Sequence, residues 1–366
     1  MDFNFMMAQL EDEVELPVDE TTYDNEVVVP EEDPAVQAAE TAAEEEQIEL
    51  YCQSIRALMD EVYCVNSTIS RYGETGARLA ARLFPNAPVE MLVAGQEGFK
   101  EVLKKIWNFI RGLWNKLIFF LARVYMRIFR RDAAEEWEKA YKEAYKAFNE
   151  ASKHSSSAGM PSAVIEVYDP KAVQTYAKRV QVRLRFRFNV ETALYQAEAL
   201  LKLLKSDNKP NDSILKDIAE TRTAVNQIHE DTTNTKSLNA EALHQLNKIR
   251  FTINVNTLQQ LSNDLKPLIT VQESIRGWKS YCNKITAVAK EITLEANKRS
   301  QATGTDEEVK VAREISKVST EIVSMLTATV GSVGMVSSNA DSILDSYLKQ
   351  IRAVAEPLAK KYNQRF

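Results

Sequence analysis

From Leu258 to Val354 the apolar residues recur in steps of three and four. Leu258, Leu261, Leu265, Leu268, Val271, Ile275, Trp278, Cys282, Ile285, Ala289, Ile292 and Ala296 form one series. Val311, Ile315, Val318, Ile322, Met325 and Thr329, continued by Val336, Ala340, Ile343, Tyr347 and Val354, form a second. A stripe with this period exists only on a helix, and a stripe this long has to be buried. The spacing predicts two long helices over about 257–300 and 306–356, with a kink at Pro267 and an N-cap at Thr305 or Asp306. The short connector at 301–305 predicts that the two pack antiparallel, seam to seam. With 10 Gly and 10 Pro in 366 residues, a turn-rich sandwich, barrel or doubly wound sheet is disfavoured. The expected fold is mainly α: an elongated helical bundle with a coiled-coil-like C-terminal helical hairpin and room for a small β element.

Charge is segregated along the chain. Residues 1–50 hold seventeen acids and no Lys, Arg or His, which leaves 46 bases against 35 acids in the remainder, an excess of eleven. Residues 1–46 are acidic, carry Pro17, Pro30 and Pro34, and end in an Ala/Glu run. Such a segment cannot bury enough to offset its ordering entropy, so it reads as a disordered arm or a propeptide, with helix expected only near its end. A helical region over 47–153 follows, with helices near 48–71 and 132–152. The run Lys153–Ser162 (KHSSSAGMPS) reads as a linker, and a helical bundle domain over 164–366, with a further helix near 190–205, completes the chain. The N-terminal end has no basic n-region and no long apolar run, so no secretory signal is expected.

The most distinctive segment is 99–131. Leu103, Ile106, Trp107, Ile110, Leu113, Trp114, Leu117, Leu121, Val124 and Ile128 fall on one helical face. Nine bases, Lys100, Lys104, Lys105, Arg111, Lys116, Arg123, Arg127, Arg130 and Arg131, accompany one acid, Glu101. The longest uncharged run is six residues, Leu117–Ala122, far short of a spanning helix. This is the pattern of a basic amphipathic helix able to meet an anionic surface, either lipid or nucleic acid. On lipid, Trp107, Trp114, Phe119 and Phe120 would insert; on DNA only the polar face is needed.

Two further patterns compete with helix. Val180, Val182, Leu184, Phe186, Phe188 and Val190 alternate with polar residues, and so do Ile249, Phe251, Ile253 and Val255. Both are period-2 strand signals, and the two runs could pair. Residues 322–340 (IVSMLTATVGSVGMVSSNA) form an uncharged stretch of nineteen, close to a membrane span in length but rich in Ser, Thr and Gly, which favours a buried bundle core.

Motifs for chemistry are missing from the sequence. There is no GxxxxGK[ST] and no GxGxxG, and the three histidines, His154, His229 and His244, share no ligand spacing with one another or with a cysteine. Cys52, Cys64 and Cys282 are too few and too scattered for a disulfide framework. The reading is therefore non-enzymatic, with no cofactor, no metal and no small-molecule substrate.

An acidic arm, a Gly-Phe-Lys lead-in at 98–100 and the Trp/Phe/Lys-rich helix KKIWNFIRGLWNKLIFFLARVYMRIFRR, followed by a helical body, resemble in layout the internal head proteins of large tailed bacteriophages. The resemblance covers mainly residues 1–150. It implies a virion structural protein made in the host cytoplasm and packed in the phage head. Its partners would be other virion proteins or further copies of itself, through helical seams, and DNA or an anionic membrane. It also implies removal of the acidic segment after a glutamate with a small residue two before it, which Glu40, Glu44 and Glu45 offer. The same features, with the uncharged stretch at 322–340, also resemble α-helical pore-forming proteins.

Overall fold

The computed structural model describes residues 34–84, 96–129, 132–154, 160–183, 186–205, 211–299 and 306–361. Helix α1 runs Pro34–Leu83, α2 Gln96–Phe129 and α3 Ala133–His154. Strand β1 is Ala163–Tyr168, and α4 (Pro170–Arg183), α5 (Phe186–Leu204) and α6 (Asn211–His244) lead to β2, Lys248–Ile253. The chain closes with α7 (Val255–Arg276), α8 (Lys279–Arg299) and α9 (Asp306–Lys361). The fold is mainly α with one two-stranded sheet.

At 56 residues, α9 is about 84 Å long at 1.5 Å per residue, and it is the axis of the molecule. Helices α1, α2, α3, α5, α6 and α7 and strand β1 all pack on it. That is why its middle, residues 322–340, is apolar or small on every side, whereas the outer helices carry a single apolar stripe. The uncharged stretch 322–340 lies in this core: Ile322, Met325, Leu326, Val336 and Ala340 are fully buried, and Thr327, Thr329, Ser332 and Ser337 are buried with them. Helix α1 is antiparallel to α9, with Glu49 meeting Ser324 at one level and Asp60 meeting Arg313 and Lys317 further along. Helix α2 runs antiparallel to α1, with Lys116 over the Tyr51 ring and Arg127 bonded to Thr41.

The predicted C-terminal pair is buried as expected, Leu261 and Ile322 both fully, but the pairing is different. The first series is two helices rather than one. It passes through Pro267 without a break and turns at Gly277 and Trp278, where the Gly277 N–H still reaches Glu273 O. Helix α7 packs on α4 and α3, α8 packs on α2 and α5, and α9 takes α1 as its most extensive partner. A seam states that a helix has a face to bury; it does not state which helix will bury it. The connector at 301–305 lies outside the described residues.

The sheet is also half as expected. Residues 248–253 form a strand, but its antiparallel partner is 163–168, with Ile165 opposite Phe251 and Glu166 opposite Arg250. Ile165, Val167 and Ile253 point inward, and Glu166 and Arg250 point to solvent. The run 180–190 is helical at both ends, in α4 and α5. Val173, Tyr176, Ala177 and Val180 bury a helical stripe that overrides the alternation beginning at Val180.

The N-terminal segment differs from expectation as well. Helix already begins at Pro34, a residue suited to a first turn. Thr41, Glu44 and Glu45 are packed against the body, so the part of the 1–46 arm over 40–46 belongs to the bundle; residues 1–33 lie outside the described set. Helix α1 then buries Ile48, Tyr51, Cys52, Ile55, Leu58, Met59, Val62 and Val65. It kinks at Gly73, whose φ of 54° is open to glycine at little cost.

Candidate anionic-surface interface

Helix α2 divides its side chains cleanly. Trp114 and Phe120 are fully buried and Trp107 nearly so, among α1, α8 and α9, while Phe119 is half-buried. The four candidate interfacial aromatics therefore fill the core or its margin instead of standing ready for a bilayer. The cause is the neighbours: an apolar face on a helix of this length is taken by whichever amphipathic helices fold against it, at about 25 cal/mol per Å² of apolar surface buried.

The candidate bases remain on the other side. Lys100, Lys104, Lys105 and Arg123 are exposed, and Arg111, Lys116 and Arg127 are half-buried. Arg130 and Arg131 lie outside the described residues. Two kinds of environment separate them. Toward α1, Arg123 pairs with Glu44 at 2.7 Å and Arg127 with Glu40 at 2.5 Å while also donating to Thr41, and Lys116 stands over Tyr51 at 5.1 Å. Toward α8, Arg111 donates to the neutral Asn297 at 3.2 Å, and Lys279 stands 5.7 Å over the Tyr125 ring.

The candidate processing residues Glu40, Glu44 and Glu45 are thus helical and held by the body. Glu45 is paired with Lys236 of α6 in a space that exists only because residue 331 is glycine. A Cβ there would lie 1.4 Å from Glu45 Oε1. Burial raises the Glu45 carboxyl above its usual value, with the Lys236 charge and hydrogen bond opposing. Cleavage after any of the three requires the start of α1 to unwind and these contacts to open.

Two groups were missed in the sequence. One is an ion network joining α1, α6 and α9: Asp60 accepts from Arg313 and Lys317, and Arg222 forks onto Glu321 at 2.7 and 2.8 Å with Glu314 close by. Burial pulls the Asp60 carboxyl up, but hydrogen bonds from Lys317 and Arg313 outweigh it and hold the group below its usual value. Its members are far apart in sequence, so no local pattern announced it. The other is the set of lysines on α8, whose spacing was legible but whose neighbour was not.

Among the described residues no group of three or more His, Cys, Asp and Glu is placed to hold a metal ion. Burial pushes the Cys282 thiol up to about 11, so it is protonated at neutral pH. Compared with family models, curated proteins and solved structures, the chain matches none.

Proposed function

We propose that the protein is a non-enzymatic virion component, carried in a phage head and touching packaged DNA through the exposed polar face of α2. The observation that supports this best is the division of α2, with its aromatics committed to the core and its bases outward. Folded in this way α2 has its apolar face committed to the core and not to lipid, whereas phosphate contact asks only for bases at the surface. The layout resemblance over residues 1–150 supports the virion assignment, and the acid-only first fifty residues supply a segment that competes with DNA for the same bases.

Mass spectrometry of purified particles from the phage encoding the chain tests the virion assignment; its absence from them overturns it. DNA contact is tested by titrating the full chain with duplex DNA and co-sedimenting it with anionic vesicles. Tryptophan emission is a poor reporter, because Trp107, Trp114, Trp137 and Trp278 are all buried already. Binding to duplex that weakens with salt supports the reading, and binding to vesicles alone overturns it.

One observation favours a second reading, a membrane-active protein. Helix α9 is the one helix among the described residues long and apolar enough to cross a membrane, and 78% of that window is buried inside the bundle. The core helix of a soluble protein has the same character, so this reading requires the bundle to open, and vesicle leakage is its test.

A further inference from the structure

We infer that the start of α1, residues 34–46, is a displaceable strap over a concealed anion site formed by Arg123 and Arg127 of α2 and Lys236 of α6, and that the phosphate backbone of duplex DNA takes this site by displacing the strap. This rests on the proposed DNA contact and adds to it bases that the chain itself covers.

The site is a cleft with α2 and α6 as its walls and α9 as its floor. Glu44 on Arg123 and Glu40 on Arg127 form two rungs, one turn apart on both helices, or about 6 Å at 1.5 Å per residue. On the other side Lys236 holds Glu45 over the opening left by Gly331, and Gly334 lets Val124 of α2 close against α9. Three bases thus hold three carboxylates, and guanidinium and ammonium groups receive phosphate oxygens in the same way. The acids of the cleft helices stand clear of it. Helix α2 carries none after Glu101, no acid of α6 lies three, four or seven residues from Lys236, and residues 322–340 of α9 are uncharged. Asp132, just past the end of α2, is taken by Arg276. On α1, Glu46 is exposed and Glu49 is turned to Arg56 and Ser324.

The strap is fastened by charge and hardly at all by burial. Of residues 39–47 only Thr41 is buried, and Ala39, Ala42 and Ala43 are exposed, whereas from Ile48 onward α1 buries an apolar stripe. The fastening is also imperfect. Glu44 Oε2 is buried without a hydrogen-bond partner among the described residues. Burial raises the Glu45 carboxyl, so the desolvation of its charged form offsets part of what the pairing with Lys236 supplies. On leaving, such a segment loses almost no apolar contact and its acids regain water, so another polyanion can replace it at little cost. Because the strap brings no buried apolar side chain into the cleft, its replacement is held there by charge as well. That suits a phosphate backbone, whose contacts are electrostatic and indifferent to sequence.

The test uses the full chain and two double variants with the same change in net charge. Glu40→Gln with Glu44→Gln loosens the strap and frees Arg123 and Arg127; Glu230→Gln with Glu241→Gln alters two exposed acids of α6 outside the cleft. Circular dichroism checks that both stay folded, and duplex binding is measured between about 0.05 and 0.2 M salt. The strap variant should steepen the slope of log affinity against log salt by about 1.8 and tighten binding at least about tenfold, while the α6 variant should change both far less. Adding Arg123→Gln with Arg127→Gln to the strap variant should cancel its gain. In the unaltered chain, hydrogen exchange gives a second reading: duplex should speed exchange over residues 38–46 and leave 51–65 protected. A gain matched by the α6 variant, a gain that survives loss of the two arginines, or exchange over 38–46 that duplex leaves unchanged would overturn the concealed site while leaving DNA contact standing. No binding of the unaltered chain or the strap variant to duplex at the lowest salt, or binding to anionic vesicles in its place, would remove both.

Discussion

The two sides of α2 make the most instructive contrast in the molecule. Toward α1 its bases meet acids, Arg123 with Glu44 and Arg127 with Glu40, and α1 continues this fastening along α9 with Asp60 on Arg313 and Lys317. Toward α8, Arg111 meets the neutral amide of Asn297, and Lys279 of α8 stands over the Tyr125 ring of α2. Both sides read alike in the sequence, as positive charge on an amphipathic helix. In the fold one is a clasp of ion pairs with α1, and on the other the bases meet a neutral amide and a ring. Net charge alone, −6 for the whole chain, would have hidden the difference.

The contrast can be broken most severely by attacking the core that holds both sides in place. Trp114→Ala empties a fully buried site between the two seams and should cost about 3–5 kcal/mol, read as a large drop in the denaturation midpoint. If the loss were under 1 kcal/mol, α2 would not be the packed element described.

The next effect is on the clasp. Gly331→Ala puts a Cβ where the Glu45 carboxylate lies, so it should expel Glu45 from Lys236 and cost about 1–3 kcal/mol. Glu45→Gln in the same background should recover little, because the amide needs the same space. Full recovery by Glu45→Ala would show that the clash, rather than the lost pairing, carries the cost.

Acid titration separates two members of the clasp by sign. The Asp60 carboxyl is held below its ordinary value of 3.8, so its contribution is present above that value and is lost as the pH falls through the lower folded value. Asp60→Asn should therefore flatten the stability curve below about pH 4, by no more than about 1 kcal/mol since the group is partly exposed. Glu45 is raised above 4.5, so its favourable contribution is complete below 4.5 and fades as the pH climbs through the raised value. Glu45→Gln should remove that fade. Midpoints measured from pH 3 to 7 check both, and identical profiles for the two variants would contradict the assignment.

The smallest expected effect on stability belongs to the open side. Lys279→Gln with Lys290→Gln should leave the midpoint within about 0.5 kcal/mol, because both are exposed. A larger loss would make these lysines part of the clasp after all.

Much of this was legible from periodicity. The stripes on α1, on the α7–α8 series and on α9 were legible as helical because a 3.6-residue repeat is a local signal, whereas the stripe on α2 read as a face for an anionic surface and is buried instead. What required partners was not legible. The Ile249–Ile253 alternation marked a strand but could not select 163–168 over 180–190, since Val180 serves the α4 stripe of Val173, Tyr176 and Ala177 equally well. The two C-terminal series promised facing seams, yet α8 found α2 and α9 found α1, choices made by contacts across a hundred residues or more. The same holds for the candidate site: the bases of α2 could be named from sequence, while the pairing of Arg123 and Arg127 came from Glu44 and Glu40, which only the fold brings alongside.

The claim that α2 keeps its aromatics inside while offering its bases to DNA is tested most directly by binding and shielding measured together. The full chain is titrated with duplex DNA at 0.05 M salt and again at 0.2 M, with acrylamide quenching of its four tryptophans recorded at each point. The account predicts binding that weakens steeply with salt while quenching stays low throughout, all four rings remaining buried. Binding indifferent to salt, or a rise in quenching as the complex forms, would contradict it.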